Sequence, residues 1–508
     1  MVYVFPSCRR QLIAALAAAC ALMLSVVPAR GADEGAKVLT DDWYAVYLNG
    51  GKAGYQHEQV TERAGDAAQY ETRAQTDFAV RRGNVSMHIA DDTTITEDAD
   101  GRLVAFRKVQ TQGPQTVTWE GRAEGKEMVL TTSTAFSTDT KRLPVPDGLC
   151  PWALRRLEEK MGRAPGTKYT AKAFVPDVPD RSVEVVAEVV GREDVQVFEV
   201  TKRLDRTDIR ISIMPGVATS QWTDDAGTVW LIRVQMLGNL TLESRKTTRE
   251  MAMSENDPAD ILAASVIATD RPIPSPRSLE RLEIVLEPTA KSTQAPDVSS
   301  DPYQQVRPWA DGLHVTLQRA HASPAKSYKL PYAGQEYAEL LKPNTWLETA
   351  DPVVAGMGRE AVKGETDALK AAQAIEAYVR SAVTEKGLSL GFATAAETAA
   401  QKSGDCTEHA VLVAALARAA GMPSRVVGGL AYAEKLPGAP NGGFGYHMWA
   451  EVYVGEWLPL DAALGSHDAT HLALVRSALN EPSDLFAISS AISRMFGTVK
   501  VRVIDARQ

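Results

Sequence analysis

Residues 403–464 read SGDCTEHAVLVAALARAAGMPSRVVGGLAYAEKLPGAPNGGFGYHMWAEVYVGEWLPLDAAL, and this stretch decides the fold of the C-terminal part of the chain. Asp405 and Glu408 have the spacing of a capping box, which predicts a helix whose first residue is Cys406. The following segment, 410–420, is apolar on nearly every face of such a helix. A helix of this kind is expected to lie buried in the centre of its domain.

Beyond the helix and a further strand, alternating residue types predict a strand over 446–454 that presents His447 on one face. The loop that follows decides where Asp461 lies. A two-residue loop would place Asp461 on the face opposite to His447, because a shift of one residue exchanges the faces of a strand. A three-residue loop pairs Tyr453 with Trp457 and makes Asp461 a diagonal neighbour of His447. We therefore predict an odd-numbered loop or a bulge.

Three side chains in this stretch are those that thiolate chemistry requires: a cysteine, a base and a carboxylate that orients the base. At a helix N-terminus, unpaired N–H groups and the helix dipole favour the thiolate of Cys406. His447 is the expected base, and Asp461 is the expected orienting group. His409 also lies near Cys406 in sequence, but no carboxylate partner is evident for it, so packing is the preferred interpretation.

Two structural interpretations of the cysteine remain open. A metal site could combine Cys406, His447 and Asp461, but the sequence offers neither a fourth ligand nor a Cys-x-x-Cys pair. A disulfide could join Cys406 to Cys150, because these are the two cysteines outside the N-terminal segment and oxidising compartments favour pairing. Cys150 lies in a turn-rich setting and is otherwise expected to be an unreactive buried thiol.

Residues 1–31 have the features of a secretory signal peptide. Arg9 and Arg10 precede an apolar run over 12–27, and small residues then allow cleavage before Ala32. A membrane anchor is the alternative interpretation, but this run is short for crossing a bilayer. We expect an exported, periplasmic protein that is not stably inserted in the membrane after cleavage.

Length and composition predict a multidomain α+β protein. The 508 residues exceed one ordinary core, so two to four domains are expected. The formal charge of −9 disfavours nucleic acid as a partner, because phosphate binding needs a basic surface. The predicted divisions are a signal peptide (1–31), a β-rich region (32–250), a connecting segment with short strands (251–345) and a catalytic domain (346–508).

The region 32–250 is predicted to be antiparallel β-structure, because apolar and polar residues alternate between turn signals. Residues 95–110 resemble residues 221–236, each with an acidic turn and a glycine followed by a strand. Two similar halves would explain this internal likeness. No catalytic constellation is evident there, so we expect a recognition or docking module with a protein partner.

The motifs within 403–464 resemble the bacterial transglutaminase-like family, whose core folds like papain-type cysteine proteases. The resemblance covers roughly residues 365–475 and implies a Cys-bearing central helix packed on an antiparallel sheet. It places the nucleophile at Cys406, the general base at His447 and the orienting carboxylate at Asp461. The family commonly has Asp-Pro-Thr where this chain has Asp-Ala-Ala at 461–463.

These observations together predict an exported cysteine-dependent enzyme that transfers acyl groups from amides through a thioester. Hydrolysis, as by a peptidase or amidase, is expected over crosslinking, because water is always available in an exported site. The expected substrates are peptide, protein or cell-wall amides, and neither a cofactor nor a metal is implied. The alternative is a transglutaminase-like binding or assembly protein with little or no turnover.

Overall fold

A computed structural model describes residues 36–508 except for 64–67, 83–84, 215–216, 237–239, 259–265, 290–296 and 386–391. The expected signal peptide therefore lies outside the described residues. Within these ranges, no helix has both the length and the apolar character needed to cross a membrane. The chain divides into two compact units, the first ending at residue 261 and the second comprising 262–508 together with 134–137.

The first unit is a single antiparallel sheet of fourteen strands. The order across the sheet is β8-β7-β6-β5-β4-β3-β2-β1-β14-β13-β12-β11-β10-β9. The strands are β1 (Ala36–Leu48), β2 (Gly51–Arg63), β3 (Gln69–Arg82), β4 (Val85–Asp98), β5 (Leu103–Gln112), β6 (Gln115–Glu124), β7 (Glu127–Ser133), β8 (Thr138–Pro144), β9 (Lys168–Ala173), β10 (Val183–Val197), β11 (Val200–Ile211), β12 (Ala218–Thr223), β13 (Val229–Gln235) and β14 (Thr241–Thr247). The unit also contains helices α1 (Pro151–Met161) and α2 (Arg249–Ala252).

Local sequence explains how neighbouring strands of this sheet connect. Between β1 and β2, Asn49 and Gly50 adopt φ values of 48° and 86°. Two consecutive positive φ values belong to the tight hairpin turn whose twist matches that of the flanking strands, and Asn-Gly is its preferred sequence. The β-rich character expected for 32–250 is thus confirmed, whereas the likeness of its two halves stays a prediction.

A buried group of charges in the first unit is centred on Lys108. The Lys108 ammonium lies 2.7 Å from a carboxylate oxygen of Asp91 and 2.8 Å from one of Asp177. The Lys108 side chain is only 2% exposed. Burial without these partners would be costly, so the two carboxylates hold the pKa of Lys108 well above its usual range despite burial, which acts in the opposite direction.

The second unit contains two antiparallel sheets. The larger has the order β15-β20-β19-β22, with β21 paired to β20, and the smaller has the order β17-β18-β16-β23. The strands are β15 (Val266–Ala268), β16 (Arg281–Pro288), β17 (Gln304–Trp309), β18 (Gly312–Gln318), β19 (Ser424–Ala433), β20 (Gly443–Tyr453), β21 (Trp457–Leu460), β22 (His471–Ser477) and β23 (Val499–Arg507). The segment 251–345, suggested by sequence as a connection, thus supplies strands to both sheets.

The described part of this unit has five α-helices, and three of them pack on a buried central one. They are α3 (Pro352–Val362), α4 (Ala368–Ala382), α5 (Ala395–Gln401), α6 (Cys406–Ala419) and α7 (Asp484–Ser493). In α6 the residues from Cys406 to Arg418 are all buried. This helix contacts β19 and β20 as well as α3, α4 and α5. Its apolar surface on every side therefore has a partner, and its N-terminus is held against the sheet.

Candidate active site

Cys406 is the first residue of α6, and the loop before the helix fixes its position. The Asp405 side chain accepts a hydrogen bond from the N–H of Thr407 (2.9 Å), and the Glu408 carboxylate accepts one from the N–H of Asp405 (2.9 Å). These reciprocal bonds form the capping box expected from the sequence. The backbone N–H of Met448 donates to the Cys406 sulfur (3.3 Å). Because Met448 directly follows His447 in the chain, this hydrogen bond holds the thiol close to His447.

The hairpin of β20 and β21 has the register that the proposed arrangement needs. Tyr453 lies opposite Trp457, so three residues form the loop and the prediction of an odd-numbered loop is confirmed. The next residue after β21 is Asp461, on the same face as His447. Its Oδ2 lies 2.7 Å from His447 Nε2. Both side chains are only 1% exposed.

Asp461 is held as a carboxylate by four hydrogen bonds. Its Oδ1 accepts from the backbone N–H groups of Ala463 (2.9 Å) and Leu464 (3.1 Å). Its Oδ2 faces His447 and also His471, whose Nε2 is 2.9 Å away. Burial alone would raise the pKa of Asp461, but the two imidazoles outweigh burial and hold this pKa well below its usual range. The turn that follows Asp461 thus supplies two of the four hydrogen bonds to the carboxylate.

The imidazole of His447 is arranged to accept a proton. Burial lowers its pKa below the ordinary value, although Asp461 opposes this change. The ring is therefore neutral near pH 7. Because Nε2 donates to the carboxylate, the neutral ring carries its proton there and presents the basic lone pair at Nδ1. A neutral imidazole in a fixed tautomer is the form that a general base requires.

Sequence reasoning missed three residues around Asp461. His471, the first residue of β22, binds Asp461 through Nε2, and Asp468 lies beside its other ring nitrogen. Glu376 of α4 accepts a hydrogen bond from the Asp461 N–H (2.7 Å), and burial raises its pKa to about 7. The sequence does show an aspartate three residues before a histidine, Asp468 and His471, which is the spacing of an interacting pair. Nothing in the neighbouring sequence indicates that this pair lies beside Asp461.

His409 packs as expected. Its Nδ1 lies 2.6 Å from the backbone oxygen of Asp405, so that nitrogen donates and stabilises the turn before α6. The ring is 4% exposed. This interaction accounts for a histidine one turn along the helix from Cys406 and favours a structural role.

The disulfide interpretation is wrong, because neither Cys150 nor Cys406 is disulfide-bonded. Burial raises the pKa of the Cys150 thiol well above its usual value, with nearby carboxylates adding to the effect. A thiol that holds its proton so strongly is a poor nucleophile. Cys150 therefore fits the unreactive role expected from its sequence setting.

A metal site has a geometric basis in a different set of residues from the one considered in the sequence. Ligand atoms of His447, Asp461 and His471 lie within 4.8 Å of one another. However, Nδ1 of His471 faces the backbone oxygen of Asp468 at 3.1 Å and its carboxylate at 3.3 Å, while Nε2 faces Asp461. A ring that donates from both nitrogens has no lone pair for a metal. The surroundings of His471 therefore favour a protonated ring over a metal ligand.

A cavity of about 1000 Å³ lies next to the candidate site, although Cys406, His447 and Asp461 are not among the residues that line it. Its lining includes 462–465, directly after Asp461, and His409 on the helix that begins at Cys406. Arg277, Arg380, Lys435 and Glu434 contribute charges to the lining, and Ser275, Ser278 and Thr384 contribute hydroxyl groups. The cavity is large enough for several residues of an extended peptide, which is the size class of a substrate cleft.

A glycine opposite His447 allows the sheet to close around the site. Gly429 of β19 pairs with His447. An added Cβ would overlap the Leu472 carbonyl oxygen and approach the Trp449 ring to 2.8 Å. We expect Gly429→Ala to reduce the free energy of unfolding of this unit by about 1–3 kcal/mol, because β22 must move away from β19. Urea denaturation monitored by hydrogen exchange in β19 and β22 measures this change.

A matched control for that variant is Gly356→Ala, a glycine in α3 of the same unit. Its nearest neighbour would be the flexible end of Arg359, 4.0 Å from the new methyl group. Because alanine favours helix over glycine, this change should stabilise the protein by up to about 1 kcal/mol. Equal effects of the two substitutions would contradict the packing argument.

Comparison with known proteins gives a family match to the part of the chain that contains Cys406, His447 and Asp461. Residues 355–462 match the family model of the Transglutaminase-like superfamily. No curated protein matches the sequence significantly. Among solved structures, a candidate cysteine protease from Cytophaga hutchinsonii is 14% identical, with 41% of this chain and 84% of that chain covered and a TM-score of 0.28.

Two further solved structures are similar to the chain at low identity. A β-barrel-like protein of a domain of unknown function from Brucella abortus is 17% identical over 41% of this chain and 95% of that chain, with a TM-score of 0.30. A candidate protease from Parabacteroides distasonis is 10% identical over 60% of this chain and 69% of that chain, with a TM-score of 0.19.

Proposed function

We propose that the protein is an exported enzyme that cleaves amides through a Cys406 thioester, on the basis that residues 355–462 match the Transglutaminase-like superfamily. The observation that carries the proposal is the buried His447–Asp461 pair, 2.7 Å between Nε2 and Oδ2, next to the amide that binds the Cys406 sulfur. Such a pair supplies a base in a fixed tautomer beside a thiol.

In the first half of the reaction, the Cys406 proton passes to Nδ1 of His447 and the sulfur attacks the amide carbonyl carbon. The C–N bond of the resulting tetrahedral intermediate then breaks. His447 gives its proton to the departing nitrogen, which leaves as an amine, and the acyl group remains on sulfur as a thioester. Asp461 stabilises the imidazolium that exists between the two proton transfers.

In the second half, His447 removes a proton from water as the oxygen attacks the thioester carbonyl. The C–S bond breaks, the carboxylic acid leaves, and the sulfur recovers its proton. An amine in place of water would give a new amide, which is transamidation. Hydrolysis is the proposed outcome because water is abundant in an exported site. The backbone N–H of Cys406 is the proposed oxyanion donor, since it lies next to the reacting sulfur at the N-terminus of the helix.

The proposed substrate is a peptide, protein or cell-wall amide bound in the cavity of about 1000 Å³ beside the site. This position is supported by the residues that line the cavity, because they include 462–465, which directly follow Asp461 in the chain. The sheet of fourteen strands is proposed to recognise a protein partner or to dock the enzyme on one.

One observation favours a second candidate function, a binding or assembly protein with little turnover. Cys406 is only 3% exposed, and His447 is 1% exposed. A substrate carbonyl must reach the sulfur, so residues around the site have to move before the first step. If that movement does not occur, the fold would serve in binding alone.

Alkylation and adduct trapping distinguish the two candidates. We expect iodoacetamide near pH 7 to modify one thiol rapidly in the wild type and in Cys150→Ser, but none in Cys406→Ala. Peptides or peptidoglycan fragments should add an acyl mass to wild type and not to Cys406→Ala, as read by mass spectrometry of the intact protein. Cys150 is a suitable control because it too is buried and not disulfide-bonded. Absence of both the fast thiol and the adduct would favour the binding protein.

A further inference from the structure

A continuous row of alternating charges extends from the proposed base to the surface. His447 contacts Asp461, and Asp461 contacts His471 at 2.9 Å. The other ring nitrogen of His471 lies 3.3 Å from the Asp468 carboxylate, and Asp468 in turn lies 2.6 Å from a guanidinium nitrogen of Arg277. The first four of these side chains are at most 1% exposed, whereas Arg277 is 37% exposed.

The surroundings of His471 favour a ring that carries two protons. Its Nε2 faces the Asp461 carboxylate, and its Nδ1 faces two acceptors, the Asp468 backbone oxygen at 3.1 Å and carboxylate at 3.3 Å. The Asp468 N–H also lies 3.3 Å from Nδ1 and would favour a neutral ring. The two acceptors and the negative charges outweigh this single donor. Although burial lowers it, the pKa of His471 is raised to about 9 by Asp468 and Asp461.

We propose that His471 is a positioning residue of the active site, a permanent imidazolium that holds Asp461 ionised and aimed at His447. This inference rests on the proposed function for the reaction it serves. Asp468 keeps the proton on His471, and Arg277 anchors Asp468. Two cations thus balance two carboxylates, so the site stays close to neutral while His447 accepts and releases its proton. Without the cation at 471, each proton near Asp461 would be bound more tightly.

The charged groups that face His471 come from several elements. Asp461 and His447 lie on the β20–β21 side, Asp468 and His467 on the loop before β22, Glu376 on α4, and Arg277 next to Asp468. The His447 and His471 ring centroids are 5.4 Å apart. Over this distance, at the effective dielectric constant of about 20 that applies to buried protein sites, a unit charge changes the pKa of a neighbouring group by roughly one pH unit or more.

The test is the pH dependence of iodoacetamide alkylation at Cys406 in the full-length protein with His471→Gln. A glutamine amide can still donate to Asp461 but carries no charge. We therefore expect the profile of rate against pH to move upward by roughly one pH unit. His471→Asn, whose shorter amide reaches Asp468 rather than Asp461, should in addition lower the alkylation rate on the plateau roughly tenfold or more, as loss of a supporting partner commonly does.

The matched control is His467→Gln. This histidine is also buried, and its ring centroid is 4.5 Å from that of His471, but it forms no hydrogen bond with Asp461 or Asp468, all of which the structure describes. Its pKa is held well below its usual range by burial, so the substitution removes no charge near pH 7. Its profile should match the wild type. A His471→Gln profile that coincides with the wild type, or an equal shift in His467→Gln, would overturn the proposal.

A second measurement needs no variant to fold. Nuclear magnetic resonance of ¹⁵N-histidine-labelled wild type can follow the eight imidazoles of the chain. We expect one ring with both nitrogens still protonated at pH 8, which is His471. If every histidine loses a proton below pH 7, the imidazolium does not exist and the inference is wrong. A failure of the proposed function looks different, because the wild-type Cys406 would then be unreactive at every pH.

Discussion

The Asp461→Asn variant is expected to lower the rate of acyl-enzyme formation by about two to four orders of magnitude while leaving the fold intact. The two backbone N–H groups at Oδ1 would retain the amide oxygen of the new side chain. Its NH₂ group would then face Nε2 of His447 and of His471. A donor there forces His447 into the opposite tautomer, with its proton on Nδ1 toward the sulfur. That ring cannot accept the thiol proton.

The measurement is the rate of adduct formation with a peptide amide, followed by mass spectrometry, with circular dichroism to establish folding. Asp367→Asn is the matched control. Asp367 caps α4 and also accepts a backbone N–H, but it is only partly buried and lies far along the chain from Asp461. Asparagine is an equally good cap, so this variant should behave as the wild type. A folded Asp461→Asn protein with undiminished adduct formation would exclude Asp461 as the orienting group.

The second large effect concerns stability of the first unit. We expect Lys108→Met to reduce the local free energy of unfolding by about 3–5 kcal/mol, because two buried carboxylates lose their shared cation. Lys108 Nζ is 2.7 Å from Asp91 and 2.8 Å from Asp177, and both carboxylates are largely buried. Hydrogen exchange of the β4 and β5 amides measures the change without requiring the whole chain to unfold in one step.

Acid should partly rescue this variant. Burial already raises the pKa of Asp177, and Lys108 opposes that effect. Loss of the cation raises the pKa of Asp177 further, so the folded variant binds protons more strongly than its unfolded chain and its deficit shrinks as pH falls from 7 to 5. Lys168→Met removes an exposed ion pair with Glu188 (3.0 Å) and should change stability by less than about 0.5 kcal/mol. A Lys108→Met deficit that is small or independent of pH would contradict the argument.

Local interactions made much of the site predictable. A capping box involves residues three apart, so Asp405 and Glu408 were enough to predict a helix that begins at Cys406. The facing of His447 and Asp461 depends only on whether the loop between two adjacent strands has an odd number of residues. The turn at Asn49-Gly50 is likewise specified by local sequence, because the two residues that adopt positive φ are the ones that determine it.

By itself, then, the sequence determined the position of the thiol, the residues of the candidate triad and the β-rich nature of the N-terminal region. Only the tertiary structure decided that Asp461 has a second imidazole. His471 reaches it because β22 pairs with β19 across the sheet, and Glu376 reaches it from a helix 85 residues earlier. Pairings between distant elements depend on how the whole core packs, and no repeating pattern in the chain records them.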